Sequence, residues 1–144
     1  MELRLVSIQP DELPELDEAT RLTSETLLRN VHPSYVEKGF DEPSPMIFSP
    51  TQTDLGLLSV DRESRRTAVE SFLFRRDVMQ RKTAGVLAVT TEHVAEVLLE
   101  AHENEVDGND AHAVIDFRPR LAEREVIRET LLKRALEQGW QVRA

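Results

Sequence analysis

The sequence predicts an α+β domain in which a small mixed or antiparallel sheet packs with about four helices. Short apolar runs rich in β-branched residues lie at 55–60, 85–89 and 111–117, and turn-forming residues separate them, as expected for strands. Between and after these runs, apolar residues recur with the spacing of a helix, most regularly over 121–136. The length of 144 residues suits a single core, so we assign residues 1–144 to one domain.

The N-terminal third is predicted to contain a strand, a helix and an edge strand. Residues 2–8 alternate charged and apolar side chains until Pro10, which favours a short first strand. Leucines recur at roughly helical spacing over 12–31, and acidic residues lie near the start, where the helix dipole favours them. This helix is expected to end at His32, because the residue before a proline avoids the α region. Residues 46–48 lie among prolines and are predicted to form a brief edge strand.

The rest of the chain is predicted to alternate strands with capped helices. Polar residues follow the first apolar run, and Ser64 among them is predicted to cap a helix that reaches Met79. The second run leads into Thr90 and Thr91, which are predicted to cap the next helix. The last helix is expected to end at Gly139, because glycine accepts the left-handed conformation of a C-cap.

Charge and cysteine content exclude several classes of protein. The formal net charge is −9 and the pI is near 5.0, which argues against general attraction to nucleic acid or anionic membranes and favours a basic protein partner. The absence of cysteine excludes disulfides, thiolate metal sites and a cysteine nucleophile, and it fits a reducing compartment. No stretch approaches the roughly 20 apolar residues that cross a bilayer, and the N-terminus lacks the features of a secretion signal. We therefore expect a cytoplasmic protein without a membrane association, whose oligomeric state stays open.

Motifs with a defined chemistry are absent from the sequence. There is no glycine-rich phosphate loop, no GxSxG nucleophile elbow and no HExxH pair, so neither a cofactor nor a metal ion is predicted. His93 and His102 do not have the i, i+4 spacing that places two imidazoles on one helical face. We expect both to be surface residues.

Four residues are candidate catalytic groups: His32, Asp54, Ser59 and His112. Ser59 lies in an apolar strand, where a buried hydroxyl needs a partner, and a serine nucleophile needs a base that His32 or His112 could supply if the fold brings them together. An imidazole suits proton transfer at neutral pH. Structural roles compete with this interpretation, because His32 can cap a helix and His112 can begin a strand and bind a loop. For His32 the two interpretations are even, and for His112 we favour the structural one.

The candidate binding residues are mostly cationic. Residues 61–82 contain seven basic and four acidic side chains, whereas acidic residues outnumber basic ones in the rest of the chain. Arginine binds phosphate and carboxylate through a planar fork, so this segment is a candidate anion-binding or partner-binding helix. The alternative, which we favour, is a solvated face paired with acidic residues of the same chain. Asp116 shares a strand face with His112 at about 13 Å, so a ligand would have to bridge them. The candidates are Arg29, Arg62, Arg65, Arg66 and Asp116.

A resemblance to known proteins covers most of residues 27–117. It is carried by four segments, LLRNVHPSYVEKG, FSPTQTDLGLLSV, GVLAVT and HAVIDF. Together they are similar to a pattern found in a family of small uncharacterised bacterial proteins. A basic residue and a histidine ahead of a serine strand also resemble ADP-ribosyltransferase-type toxins, although no catalytic glutamate motif follows. The first resemblance implies no activity or ligand, only a shared architecture that includes His32, Phe48, Pro50, Asp54, Ser59 and His112.

Two functions follow as hypotheses. The first is a small acidic cytosolic protein-binding or regulatory module, whose negative surface speeds its encounter with a basic partner. The second is an enzyme of the transferase or hydrolase type, whose site gathers the four candidate catalytic residues in a cleft. It predicts that His32 and Ser59 lie within hydrogen-bonding reach, directly or through one water. A third, weaker hypothesis is an arginine-lined anion site on residues 62–82.

Overall fold

A computed structural model describes residues 16–36, 42–51 and 55–144. The strands in this part of the chain are β1 (Arg21–Leu22), β2 (Thr26–Val31), β3 (Leu57–Arg62), β4 (Gly85–Thr90), β5 (Glu100–Glu103), β6 (His112–Asp116) and β7 (Val142–Arg143). All seven belong to one sheet in the order β1-β5-β6-β3-β2-β4-β7, and every neighbouring pair is antiparallel. The predicted strand at 2–8 lies outside the described residues.

The helices are fewer and shorter than the sequence predicts. They are α1 (Ala68–Leu73), α2 (Thr91–Glu96) and α3 (Arg124–Gln138). Only α3 is longer than two turns, so the prediction of about four helices around a small sheet is wrong, and the described chain is dominated by its antiparallel sheet. None of these helices is long and apolar enough to cross a membrane.

The largest error falls on residues 12–31, where the predicted helix is instead a turn and two strands from residue 16 onward. β2 is covered on both faces, with Leu27 and Val31 in one core cluster and Leu28 in the other. A strand buried on both faces has apolar residues at consecutive positions, and this pattern imitates helical spacing. The residues before 16 lie outside the described part.

Some of the other local predictions are confirmed and others are wrong. Thr90 caps α2, and Gly139 ends α3 with a φ of 84°, as expected. The predicted edge strand at 46–48 is wrong, because Pro45–Phe48 form a 3-10 turn whose last two residues are buried. The cap of α1 is Thr67 and not Ser64, since Thr67 forms a capping box with the third residue of the helix.

The two faces of the sheet are covered differently. On the first face, Ile127 and Leu131 of α3 pack in one cluster with apolar residues of the central strands, such as Leu58 and Leu87. On the second face, Phe72 of α1 packs in a smaller cluster with apolar residues of β2 and β4, and Val142 of β7 packs against it. The β3 and β6 part of this second face therefore carries polar side chains, and they form the site described below.

The sheet opens between β2 and β3. These strands share only two register pairs, whereas β2 and β4 share six and β3 and β6 share five. Beyond the opening, Arg29 Nη1 donates to the carbonyl oxygen of Ser59 at 2.9 Å, and Arg29 Nε donates to that of Ile47 at 2.7 Å. The guanidinium thus supplies a donor to a carbonyl of β3 beyond the end of the ladder and to a carbonyl of the 3-10 turn, since half-buried carbonyls need a partner.

Substitution of Arg29 should destabilise the fold. Arg29→Met leaves the carbonyls of Ser59 and Ile47 without this donor, so we expect the free energy of unfolding to fall by at least about 2 kcal/mol. Urea unfolding followed by circular dichroism measures the change. Arg21→Met is the matched control, because Arg21 is 39% exposed in a surface ion pair and its loss should cost less than about 0.5 kcal/mol. Equal losses in the two variants would contradict the bridging role of Arg29.

Candidate functional site

A cavity of about 110 Å³ lies at the opening of the sheet, between β2, β3, β6 and the segment after α1. We call it the Ser59 cavity. Its polar lining comprises Arg29, Asn30, Ser59, Asp61, Ser71, Arg75, Asn109 and His112. The space is large enough for a group of several atoms, since about 10–15 Å³ of such volume holds one water.

Ser59 and His112 form a hydrogen-bonded pair in the wall of this cavity. The two side chains lie on neighbouring strands, and Ser59 Oγ is 3.0 Å from His112 Nε2. His112 Nδ1 lies 2.7 Å from the carbonyl oxygen of Asn104, which can only accept. Nδ1 therefore carries the ring proton in the neutral imidazole, Nε2 accepts, and the Ser59 hydroxyl donates. This is the orientation that a serine nucleophile and its general base require.

Asp61, the one carboxylate among the described residues of the cavity lining, is already engaged. Asp61 Oδ2 accepts from Ser71 Oγ at 2.7 Å and lies 3.9 Å from Arg66 Nη1. Ser71 Oγ accepts in turn from the amide of Asn30 at 3.0 Å. This network fixes the polar half of the cavity wall and leaves Ser59 and His112 to pair with each other.

A second cavity of about 330 Å³ adjoins the first, and we call it the His32 cavity. The two cavities share Arg29, Asn30 and Arg75 as lining residues. The remaining lining consists of His32, Ser34, Tyr35 and Ile47. His32 caps the 3-10 turn that follows it, because its Nδ1 accepts from the backbone N–H of Ser34 at 3.0 Å.

The structure brings together part of the predicted catalytic set. Ser59 and His112 are in contact, whereas His32 lines the adjoining cavity, and no hydrogen bond within the described residues joins it to Ser59. The predicted helix end at His32 is wrong, because His32 follows strand β2. Asp54 lies outside the described residues.

Asp116 is held by its own loop and not by His112. It shares the second face of the sheet with His112, as predicted from strand periodicity, and its carboxylate accepts from Arg118 Nε at 2.8 Å and Arg118 Nη2 at 3.0 Å. Burial alone would raise the pKa of Asp116, but the hydrogen bonds and the charge of Arg118 outweigh it and lower the pKa below the ordinary 3.8.

The three predicted binding arginines of the basic segment all lie beside carboxylates of the same chain. Arg62 Nε is 3.0 Å from Glu25 Oε2, in a pair whose side chains are 14% and 8% exposed. Burial would raise the pKa of Glu25, and hydrogen bonds from Ser64 and Arg62 lower it instead. Arg65 and Arg66 have acidic neighbours at 3.6–3.9 Å. These pairs are what we expect if the segment is a solvated face whose arginines pair with acidic residues of the same chain.

Sequence reasoning missed three residues of the site and misplaced one histidine. Arg75, Asn30 and Asn104 have no local pattern that distinguishes them from other polar residues. The prediction that His102 lies on the surface is wrong, because it is 3% exposed and bonded to Thr20 and Glu100. Its buried position depends on pairing between β1, β5 and β6, which no short segment of sequence encodes.

Comparisons with protein-family models, with curated proteins and with solved structures find no match for this chain. The resemblance to small bacterial proteins therefore stays a prediction. Within residues 16–36, 42–51 and 55–144, no group of three or more His, Asp or Glu side chains is arranged to hold a metal ion. A functional proposal consequently depends on the geometry of the two cavities.

The lowered pKa of Asp116 predicts a pH-dependent contribution to stability. A carboxyl group whose pKa is lower in the folded state stabilises the fold above its ordinary pKa, and this contribution is lost as the pH falls through the folded-state value. Asp116→Asn should therefore be less stable than the wild type at pH 7, and the difference should shrink below about pH 4. Urea unfolding at a series of pH values measures it. Asp110→Asn, at a carboxylate 66% exposed, is the control, and a similar pH profile in both variants would contradict the assignment.

Proposed function

We propose that this chain is an enzyme of the hydrolase or transferase type, in which Ser59 is the nucleophile and His112 is its general base. One observation carries the proposal: the 3.0 Å contact between Ser59 Oγ and His112 Nε2 in a cavity wall, with the imidazole oriented by a backbone carbonyl. A buried serine could satisfy its hydroxyl with any nearby carbonyl. Here the Ser59 hydroxyl lies beside the acceptor nitrogen of an imidazole, which can remove its proton.

The reaction that this pair supports is an attack on an acyl or phosphoryl centre. The Ser59 oxygen forms a bond to that centre while its proton passes to His112 Nε2. The leaving group departs with the bonding electron pair and takes the proton from Nε2. Attack by water on the covalent intermediate gives hydrolysis, and attack by another acceptor gives transfer. The carbonyl of Asn104 keeps the ring in place while it carries the positive charge.

The sizes of the two cavities favour a substrate that occupies both. Ligand pockets for small molecules commonly measure about 300–1,000 Å³, so the Ser59 cavity at about 110 Å³ suits only the reacting end. The His32 cavity, at about 330 Å³, suits the remainder of the substrate. Arg29, Asn30 and Arg75 would then contact the substrate near the point where the two parts join.

A fluorophosphonate probe tests the nucleophile. Ser59 Oγ should displace fluoride from phosphorus and form a stable phosphonyl ester, which mass spectrometry of the digested protein locates at Ser59. His112→Gln should slow this labelling by at least about 100-fold, because the general base is lost. Ser59→Ala should abolish it.

Ser24→Ala is the matched control, since Ser24 is an exposed serine that lines neither cavity and its loss should leave labelling unchanged. Thermal unfolding of each variant establishes that the fold is retained. Absence of an adduct at Ser59, or equal labelling rates in folded wild-type protein and His112→Gln, would overturn the proposal.

Protein binding is the second candidate, and an acidic groove favours it. The groove has a volume of about 540 Å³ and lies between α3 and the segment before the 3-10 turn. Leu132 and Leu136 supply apolar lining, and three glutamates outnumber the one cation of the described lining, Lys133: they are Glu42, Glu129 and Glu137. An apolar floor with acidic edges complements a basic amphipathic segment of a partner protein.

A helical peptide with leucines on one face and lysines on the other tests this groove. Fluorescence anisotropy should show that binding weakens as salt rises, because screening reduces the attraction between charges. Glu129→Lys should weaken binding at least about fivefold. Glu92→Lys makes the same charge change at an exposed position of α2 outside the groove and should have little effect. Affinity that is independent of salt, or equal in the two variants, would refute this candidate.

A further inference from the structure

Arg75 is a half-buried cation that the structure leaves incompletely bonded. It belongs to the π-helical turn Phe74–Val78 that continues α1, in which Met79 N donates to Phe74 O at 2.9 Å. Its side chain lines both the Ser59 cavity and the His32 cavity, and its Nε is buried without a hydrogen-bond partner among the described residues. Such turns are frequent at functional sites, and an unsatisfied buried donor is costly unless a ligand satisfies it.

The neighbouring arginines do not share this property. Arg76 Nε is 2.8 Å from Asp77 Oδ1, and Arg66 Nη1 donates to Asn109 Oδ1 at 2.6 Å. Arg62 is paired with Glu25, as described above. The contrast between Arg75 and Arg76 is the sharpest, because the two residues are adjacent in sequence and differ in whether a carboxylate binds them.

The described lining of the His32 cavity is positively charged although the whole chain is acidic. It includes two arginines, Arg29 and Arg75, and no carboxylate among the residues that the structure describes, whereas the chain as a whole has a net charge of −9. Arg29 donates to the backbone carbonyls of Ile47 and Ser59, so the side chain that the anion would chiefly meet is Arg75. Because low-dielectric walls strengthen electrostatic attraction, a small anion is favoured in this space over a neutral molecule.

A neutral donor also lines the cavity. The backbone N–H of Ser34 donates to His32 Nδ1, so the ring proton of His32 is on Nε2 and that nitrogen is a donor. Burial and the positive charge of Arg81 lower the pKa of Arg75, and Asp61 opposes them only in part. A bound anion would offset both effects, since it favours the charged form of the guanidinium.

We infer that the His32 cavity binds an oxyanion, the carboxylate or phosphate group of a small-molecule ligand, and that Arg75 is its principal charge partner. The guanidinium offers such a group the planar fork that arginine presents to carboxylate and phosphate. The inference deepens the proposed function, because it assigns the oxyanion to the substrate, and this assignment rests on that function. The anionic part of the substrate occupies the His32 cavity while the reacting bond lies beside Ser59. Anion binding itself requires neither Ser59 nor His112.

Calorimetric titration of the whole chain with inorganic phosphate, phenyl phosphate and benzoate tests the inference, with benzyl alcohol as the neutral comparison. We expect at least one of the three anions to bind and the alcohol not to bind. The preference between phenyl phosphate and benzoate identifies the anionic group. Arg75→Gln should weaken the binding at least about tenfold, and Arg76→Gln, which makes the same charge change at the adjacent residue, should alter it less than about twofold.

A measurement on the wild-type protein covers the case in which Arg75→Gln does not fold. The Nε–H resonance of Arg75 in protein labelled with ¹⁵N-arginine should shift on addition of the bound anion, and that of Arg76 should not. Absence of binding by all three anions, or equal effects at the two arginines, would overturn the inference. Ser59→Ala separates it from the proposed function, because this variant should lose fluorophosphonate labelling and keep anion binding. Labelling at Ser59 without anion binding would uphold the nucleophile and refute the anionic substrate.

Discussion

The guanidinium of Arg29 is the contact on which the rest of the site depends. β2 pairs with β4 over its whole length, but its ladder toward β3 ends after two pairs. A sheet that opens in this way exposes backbone carbonyls, and leaving them unpaired in the interior is costly. Arg29 satisfies the carbonyls of Ser59 and Ile47, so these two acceptors at the opening have a partner. The same residue lines both cavities.

The second face of the sheet has an apolar half and a polar half. Phe72 packs on the apolar residues of β2 and β4, and this contact anchors α1. The chain then enters a π-helical turn, which places Arg75 over the polar residues of β3 and β6. The apolar half of the face fixes the helix, and the fixed helix closes one side of a polar cavity. Ser59 and His112 can therefore meet in a half-buried place where water does not fully screen them.

Whether a basic side chain lies beside a carboxylate identifies a candidate anion-binding residue better than the number of basic residues in a segment does. Seven basic residues lie between 61 and 82, yet those that the sequence singled out are beside carboxylates of the same chain. Arg75 belongs to the same segment and differs because its Nε has no hydrogen-bond partner among the described residues. A cation that is neutralised within the fold has little attraction left for a ligand, since its field is already compensated. A cation that is incompletely bonded retains its attraction for a ligand.

Local sequence determined the features that depend on a few neighbouring residues: the strand that begins at Gly85, the cap at Thr90 and the helix end at Gly139. Each is governed by backbone preference or a short-range hydrogen bond. β2 was predicted as part of a helix, because a strand that is buried on both faces has consecutive apolar residues and lacks the two-residue period of a half-buried strand. Ser59 and His112 were recognisable as reactive types, but their contact joins residues 53 positions apart and required the pairing of β3 with β6. Only the tertiary structure decided which side chains meet and which basic groups lie beside carboxylates, because both depend on packing between distant segments.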